Sequence, residues 1–143
     1  MMTYVEPNIG AGVYCIRNLD SGKCYIGQSL NMSKRISDHF SALYSGKHIV
    51  VDMQRDFSSG DRFSYEILYH APKGSKDYQR KACVTMEFEH LMMSDRKMLY
   101  NVCFTNPYIW NTLIDIPDAY RFDDFYQPGD IYRPEFQKYL ISA

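Results

Sequence analysis

An α+β domain is the fold class this 143-residue chain predicts, on three observations. Two β-rich runs, Gly12-Val13-Tyr14-Cys15-Ile16-Arg17-Asn18 and Lys23-Cys24-Tyr25-Ile26-Gly27, flank a turn-forming quartet. A third run, 62–69, alternates apolar and polar residues. Segments of helical spacing lie between and after them, giving the order β-β-α-α-β-α. With 45% hydrophobic residues the chain can bury one core and has little room for two.

In the hairpin, Leu19-Asp20-Ser21-Gly22 makes the loop. If Asn18 pairs with Lys23, Tyr14 falls opposite Gly27 and Ile16 opposite Tyr25. Opposed residues share a face, so the two phenols sit diagonally on one face, and the missing side chain of Gly27 leaves room for a ligand beside Tyr14. Helical spacing begins after Asn31 or Ser33, either of which can cap, and runs to Gly46. Ile36, Phe40 and Leu43 form its apolar stripe, with Arg35 and His39, four apart, along one flank. A second short helix is expected over 48–57, with Ile49, Met53 and Phe57 inward, and Ser58-Ser59-Gly60-Asp61 ends it. Strand 62–69 sets Phe63, Tyr65, Ile67 and Tyr69 on one buried face. The last helix, 76–94, carries Ala82, Met86, Glu89 and Met93 at i, i+4, i+7 and i+11. Glu89 thus falls on an otherwise apolar line, whereas Glu87 faces a more polar side with Cys83, His90 and Ser94.

The bulk numbers exclude several classes. No stretch approaches the apolar length of a membrane span, and the first ten residues carry Glu6 and Pro7 where a signal peptide would be basic and then apolar, so a soluble cytoplasmic protein without a membrane partner is expected. Cys15, Cys24, Cys83 and Cys103 form no C-x-x-C pair, which argues against zinc ribbons and disulfide scaffolds and for buried free thiols. A net charge of -1 gives no overall pull toward nucleic acid, so such binding must come from a local basic surface. Charge is uneven: residues 1–102 hold 13 Lys+Arg against 11 Asp+Glu, and residues 103–143 hold 3 against 6. Proline and aromatic residues also concentrate after Asn101. The expected organisation is therefore a domain over 1–102 and an acidic, aromatic extension over 103–143. That extension is too aromatic for ordinary disorder and is expected to pack on the domain, on a second copy of the chain or on a partner that supplies specificity.

A carboxylate on the buried face of a helix is costly unless it meets a cation, a proton or hydrogen-bond donors. For Glu89, Mg²⁺ would serve, since it is commonly held by one or two carboxylates, waters and substrate phosphate oxygens. Gly12-Val13-Tyr14, Tyr25-Ile26-Gly27, Arg35, His39, His48, Glu89 and Asn101 in this order resemble the signature of the GIY-YIG nucleases, with Val for Ile in the first triplet. The stretch from Lys34 to His48 with Gln54-Arg55-Asp56-Phe57 is most similar to phage-type homing endonucleases.

The resemblance implies a compact three-stranded antiparallel sheet flanked by helices and an endonuclease that hydrolyses phosphodiester bonds of DNA with Mg²⁺, Mn²⁺ being a substitute. It implies that Glu89 holds the metal, that Arg35 neutralises the phosphate, and that either Tyr14 or His39 is the base. It further implies that Tyr25 orients water or phosphate, that His48 contacts the phosphate or relays a proton, and that Asn101 braces the site. Lys34, Lys47 and Arg55 are expected to contact DNA. A repair- or restriction-type nuclease, and a non-catalytic DNA-binding regulator on the same fold, are the other readings open at this stage.

Overall fold

The computed structural model describes residues 3–101. The expected extension over 103–143, with its packing or partner role, lies outside the described residues. The elements are β1 (Gly12–Asn18), β2 (Cys24–Ser29), α1 (Met32–Tyr44), α2 (Val51–Ser58), β3 (Phe63–His70) and α3 (Lys76–Met93), with a short 3₁₀ turn at Arg96–Met98. The strands form one antiparallel sheet in the order β2-β1-β3. The hairpin register has Tyr14 opposite Gly27 and Ile16 opposite Tyr25, as the loop placement requires.

Both faces of the sheet are covered. On one, Tyr14, Ile16, Tyr25 and Phe63 pack against Met32, Ile36, Phe40 and Leu43 of α1 and Met53 of α2. On the other, Val13, Cys15, Cys24 and Ile26 pack against Leu91 of α3, with Leu99 from the segment that follows. The single buried face expected for the third strand holds only in part. A register shift between Val13 and Tyr14 leaves Leu68 without its own partner on β1. Ile67 therefore joins the α1 face and Tyr69 the α3 face.

Asn31 caps α1, its side chain accepting from the Lys34 N–H at 3.2 Å. Ser33 does different work: its hydroxyl accepts from the Ile9 N–H and donates to the Glu6 carbonyl, tying the N-terminal segment to the helix. The second helix starts later than its spacing suggested. His48 stands before it, its N–H bonded to the Gln54 side chain at 2.9 Å, and Ile49 is exposed rather than inward. Ser75 caps α3, accepting from the Tyr78 N–H at 3.2 Å.

The buried stripe of α3 corrects the sequence reading. Cys83, Val84, Glu87 and Leu91 face the sheet, and Glu87 is only 7% exposed. Glu89 is half-buried, and Met93, expected on its inward line, is 83% exposed. At 100° per residue, Glu87 and Glu89 point to opposite sides of the helix. The sheet covers the side with Glu87. No described helix is long and apolar enough to cross a membrane.

Candidate active site

Four elements converge where β2 ends and α1 begins. β1 and β2 bring Tyr14 and Tyr25, which the pleat sets on one face of the sheet. The α1 helix lies on that face and buries Arg35 and His39 beside its apolar stripe. From the other layer, α3 passes the end of β2, with Cys83 Sγ 3.9 Å from the Ser29 carbonyl. Glu87 follows one helical turn later.

The tyrosines and histidines form a stacked and hydrogen-bonded group. Tyr14 Oη is 2.9 Å from His39 Nε2, and His39 Nδ1 is 2.9 Å from His48 Nε2. The Val50 N–H donates to His48 Nδ1 at 3.1 Å. The imidazoles of His39 and His48 stack at 5.1 Å between centroids, and Tyr25 tilts against His39 at 5.0 Å. Burial, the neighbouring imidazole of His48 and the Arg35 charge hold His39 well below the usual histidine range. Burial alone lowers His48 to about 4. Both rings are therefore neutral at physiological pH.

Arg35 links this group to Glu87. It is 6% exposed, and its charge opposes protonation of His39 and favours ionisation of Glu87. Burial nevertheless dominates at Glu87 and raises its carboxyl to about 8, against an ordinary 4.5. A buried acid poised in this way binds either a proton or a cation. Among the described residues no three His, Cys, Asp or Glu side chains converge as a metal cluster.

Gly27 has a different use from the one its smallness suggested. A Cβ there would stand 2.5 Å from Tyr14 Oη and 2.6 Å from Cζ, so the space belongs to the Tyr14 ring rather than to a ligand. Asn101 grips the outer edge of β2. Its Oδ1 accepts from the Ile26 N–H and its Nδ2 donates to the Ile26 carbonyl, both at 2.9 Å.

The structure thus brings together Tyr14, Tyr25, Arg35, His39 and His48, and turns Glu89 to a different side of α3. Of the residues expected to contact DNA, Lys34 is paired with Asp38 at 2.8 Å and Arg55 with Asp52 at 3.1 Å. No ion pair involves Lys47 among the described residues.

Glu87 was passed over on the sequence because two stripes fit the helical period, and hydrophobicity favoured the one through Met86 and Met93. Cys83, Val84, Glu87 and Leu91 are spaced equally well. Gln28 was missed outright. Its amide is buried on β2, three residues after Tyr25, and neither its nitrogen nor its oxygen has a hydrogen-bond partner among the described residues.

Comparison with known proteins agrees with this fold. The sequence profile described as the GIY-YIG catalytic domain matches residues 10–97. Intron-associated endonuclease 1 of Enterobacteria phage T4 is 35% identical over 63 residues, which are 43% of this chain and 26% of that protein. The chain thus spans about a quarter of that relative's length. The solved catalytic domain of homing endonuclease I-TevI has a TM-score of 0.53 at 29% identity, covering 64% of this chain and 97% of that one. A glutamate-to-alanine mutant of the catalytic domain of intron endonuclease I-TevI also has a TM-score of 0.53, at 27% identity over 66% and 94% of the two chains.

Proposed function

Because the chain belongs to the GIY-YIG catalytic-domain family, we propose that it is a metal-dependent endonuclease hydrolysing phosphodiester bonds of DNA, of the phage-type homing kind. The observation that carries this reading is a buried guanidinium whose charge reaches a buried carboxylate, beside a phenol hydrogen-bonded to imidazole. The similarity to the phage T4 intron-associated endonuclease supports the narrower kind.

Glu87 is the residue that would hold the metal, in place of Glu89. One carboxylate with water and phosphate oxygens fits a hard divalent cation such as Mg²⁺, with Mn²⁺ as its substitute. When bound, such an ion supplies Lewis-acid polarisation of the phosphate and stabilises negative charge on the leaving 3′ oxygen. Arg35 presents a planar fork to the phosphate, and burial strengthens its hold on the charge that builds as phosphorus becomes five-coordinate.

The hydrogen bonds favour Tyr14 over His39 as the base. Both nitrogens of His39 are engaged, Nδ1 with His48 and Nε2 with Tyr14, which leaves no lone pair for water. Tyr14, as phenolate, takes a proton from the attacking water. The water oxygen bonds to phosphorus as the P–O3′ bond breaks, and the 3′ oxygen takes a proton from solvent, leaving a 5′ phosphate and a 3′ hydroxyl. Tyr25 packs against His39 and holds the ring in place.

Supercoiled plasmid with the purified protein, in Mg²⁺ and in EDTA, tests the reading. Nicked or linear product in Mg²⁺ alone is expected, and intact plasmid under both conditions would refute it.

A further inference from the structure

Gln54 touches neither Tyr14 nor His39, yet it governs how the imidazole chain is wired. Its Oε1 accepts from the His48 N–H at 2.9 Å. Its Nε2 donates to the Leu43 carbonyl in the last turn of α1 at 3.1 Å and to Ser58 Oγ at 3.0 Å. One backbone donor and one backbone acceptor fix which end of the amide is oxygen. The side chain therefore clamps the 47–50 loop to the ends of both helices.

In the same loop the Val50 N–H donates to His48 Nδ1. A neutral imidazole carries one ring proton, and a ring nitrogen that accepts must leave it on the other. His48 thus carries its proton on Nε2 and donates to His39 Nδ1. His39 in turn carries its proton on Nε2 and donates to the Tyr14 oxygen. One backbone N–H orders the direction of both following bonds. The chain ends with a donor facing the atom that becomes a phenolate, and a hydrogen bond to the charged form favours that form.

We propose that Gln54 is a positioning residue for the hydrolysis, holding the 47–50 loop so that the Val50 N–H selects the imidazole tautomers that present a donor to Tyr14. The proposal rests on the nuclease reading above. Around the imidazole pair the titratable or charged neighbours are Tyr14 on β1, Tyr25 on β2 and Arg35 on α1, and the Arg35 charge also reaches Glu87 on α3. Tyr65 of β3 and Tyr100 belong to the same packed cluster, and α2 contributes the apolar Met53 and the neutral Gln54.

The test is made on the full chain with two readouts. Long-range ¹H–¹⁵N correlation spectra of the imidazoles, recorded without DNA, report the tautomers. The pH profile of kcat for plasmid cleavage reports the base. The wild-type protein is expected to hold both His39 and His48 as Nε2–H tautomers. Gln54→Met, close in volume, should admit the Nδ1–H form of His48. Its acid limb should move up by ~1 pH unit, an about tenfold slower kcat at pH 7, with KM little changed. Gln54→Glu keeps the acceptor for the His48 N–H but loses the donor to the Leu43 carbonyl, and should fall between wild type and Gln54→Met in both readouts. A purely structural role would lower the active fraction and leave profile and tautomers in place.

Nδ1–H tautomers in the wild type, or a Gln54→Met profile that coincides with wild type, would overturn the proposal while cutting persists. Absence of cutting by the wild type would defeat the nuclease reading and the proposal with it.

Discussion

Replacing Glu87 with glutamine should remove a loss of stability that the wild-type protein suffers as pH rises above neutrality. The Glu87 carboxyl sits at about 8 in the folded chain against an ordinary 4.5, because burial disfavours its charge. The folded state therefore holds a proton that the unfolded state has given up. The stability this confers is complete below 4.5 and is lost as pH climbs through about 8. His48, lowered from 6.5 to about 4, works in the opposite sense, gaining stability as pH rises to 6.5, and His39 adds to it. The histidines oppose Glu87 below pH 6.5, and Cys24, lowered from 9.0 to about 7 chiefly by its hydrogen bond with Cys15, opposes it above 7, so the Glu87 contribution from pH 6.5 to 8 is read as the difference between wild type and Glu87→Gln. Across that window the Glu87 contribution changes by about 2 kcal/mol, at roughly 1.4 kcal/mol per pH unit. Urea unfolding in EDTA at fixed ionic strength would read this as a fall of about 1 M in the midpoint of wild type relative to Glu87→Gln. Parallel pH dependences for the two proteins would refute the burial argument.

Three further outcomes follow from other residues. Gln28→Met should stabilise the domain by about 1 kcal/mol or more in a thermal melt, since it replaces a buried amide without partners among the described residues by an apolar chain of similar volume; a lower melting temperature would mean the amide is satisfied. Asn101→Ala should cost about 1–3 kcal/mol, because both of its bonds to Ile26 are lost, and hydrogen exchange at Ile26 should quicken; unchanged exchange would remove Asn101 as the brace of that edge. Lys47→Ala should lower the slope of log affinity for DNA against log salt by about one, whereas Lys34→Ala, whose ammonium is already paired with Asp38, should change it less; equal effects would show that the ion pair opens on binding.

The hairpin was legible because turn chemistry and a two-residue period fix its register together, and that register alone sets Tyr14 beside Gly27 and the two phenols on one face. The α1 site residues were legible for a similar reason: a four-residue spacing binds Arg35 and His39 to one side of a strongly apolar stripe. Their full burial was not, since it depends on α3 and on the 47–50 loop closing over them. Sequence periodicity also misjudged α3. A helix packed against a sheet near its edge can bury either of two neighbouring stripes, and the choice is made by the strands it meets, not by its own composition. The acid that looks misplaced on an apolar line, Glu89, turns away from the sheet, and the acid in apparently polar company, Glu87, is enclosed. The Gly27 reading failed on scale, because a vacant Cβ position is filled by the nearest ring. The bulge beside Val13 has no mark in either strand that period-2 alternation reveals.

We propose Glu87, whose ionisation the Arg35 charge favours, as the catalytic carboxylate. Single-turnover cleavage of plasmid DNA in Mg²⁺ by wild type, Glu87→Gln and Glu89→Gln tests it most directly, with circular dichroism showing that all three are folded. The expected result is cleavage by Glu89→Gln within a few-fold of wild type and a loss of at least about a thousandfold in Glu87→Gln. Retained cleavage by Glu87→Gln, with loss in Glu89→Gln, would contradict it.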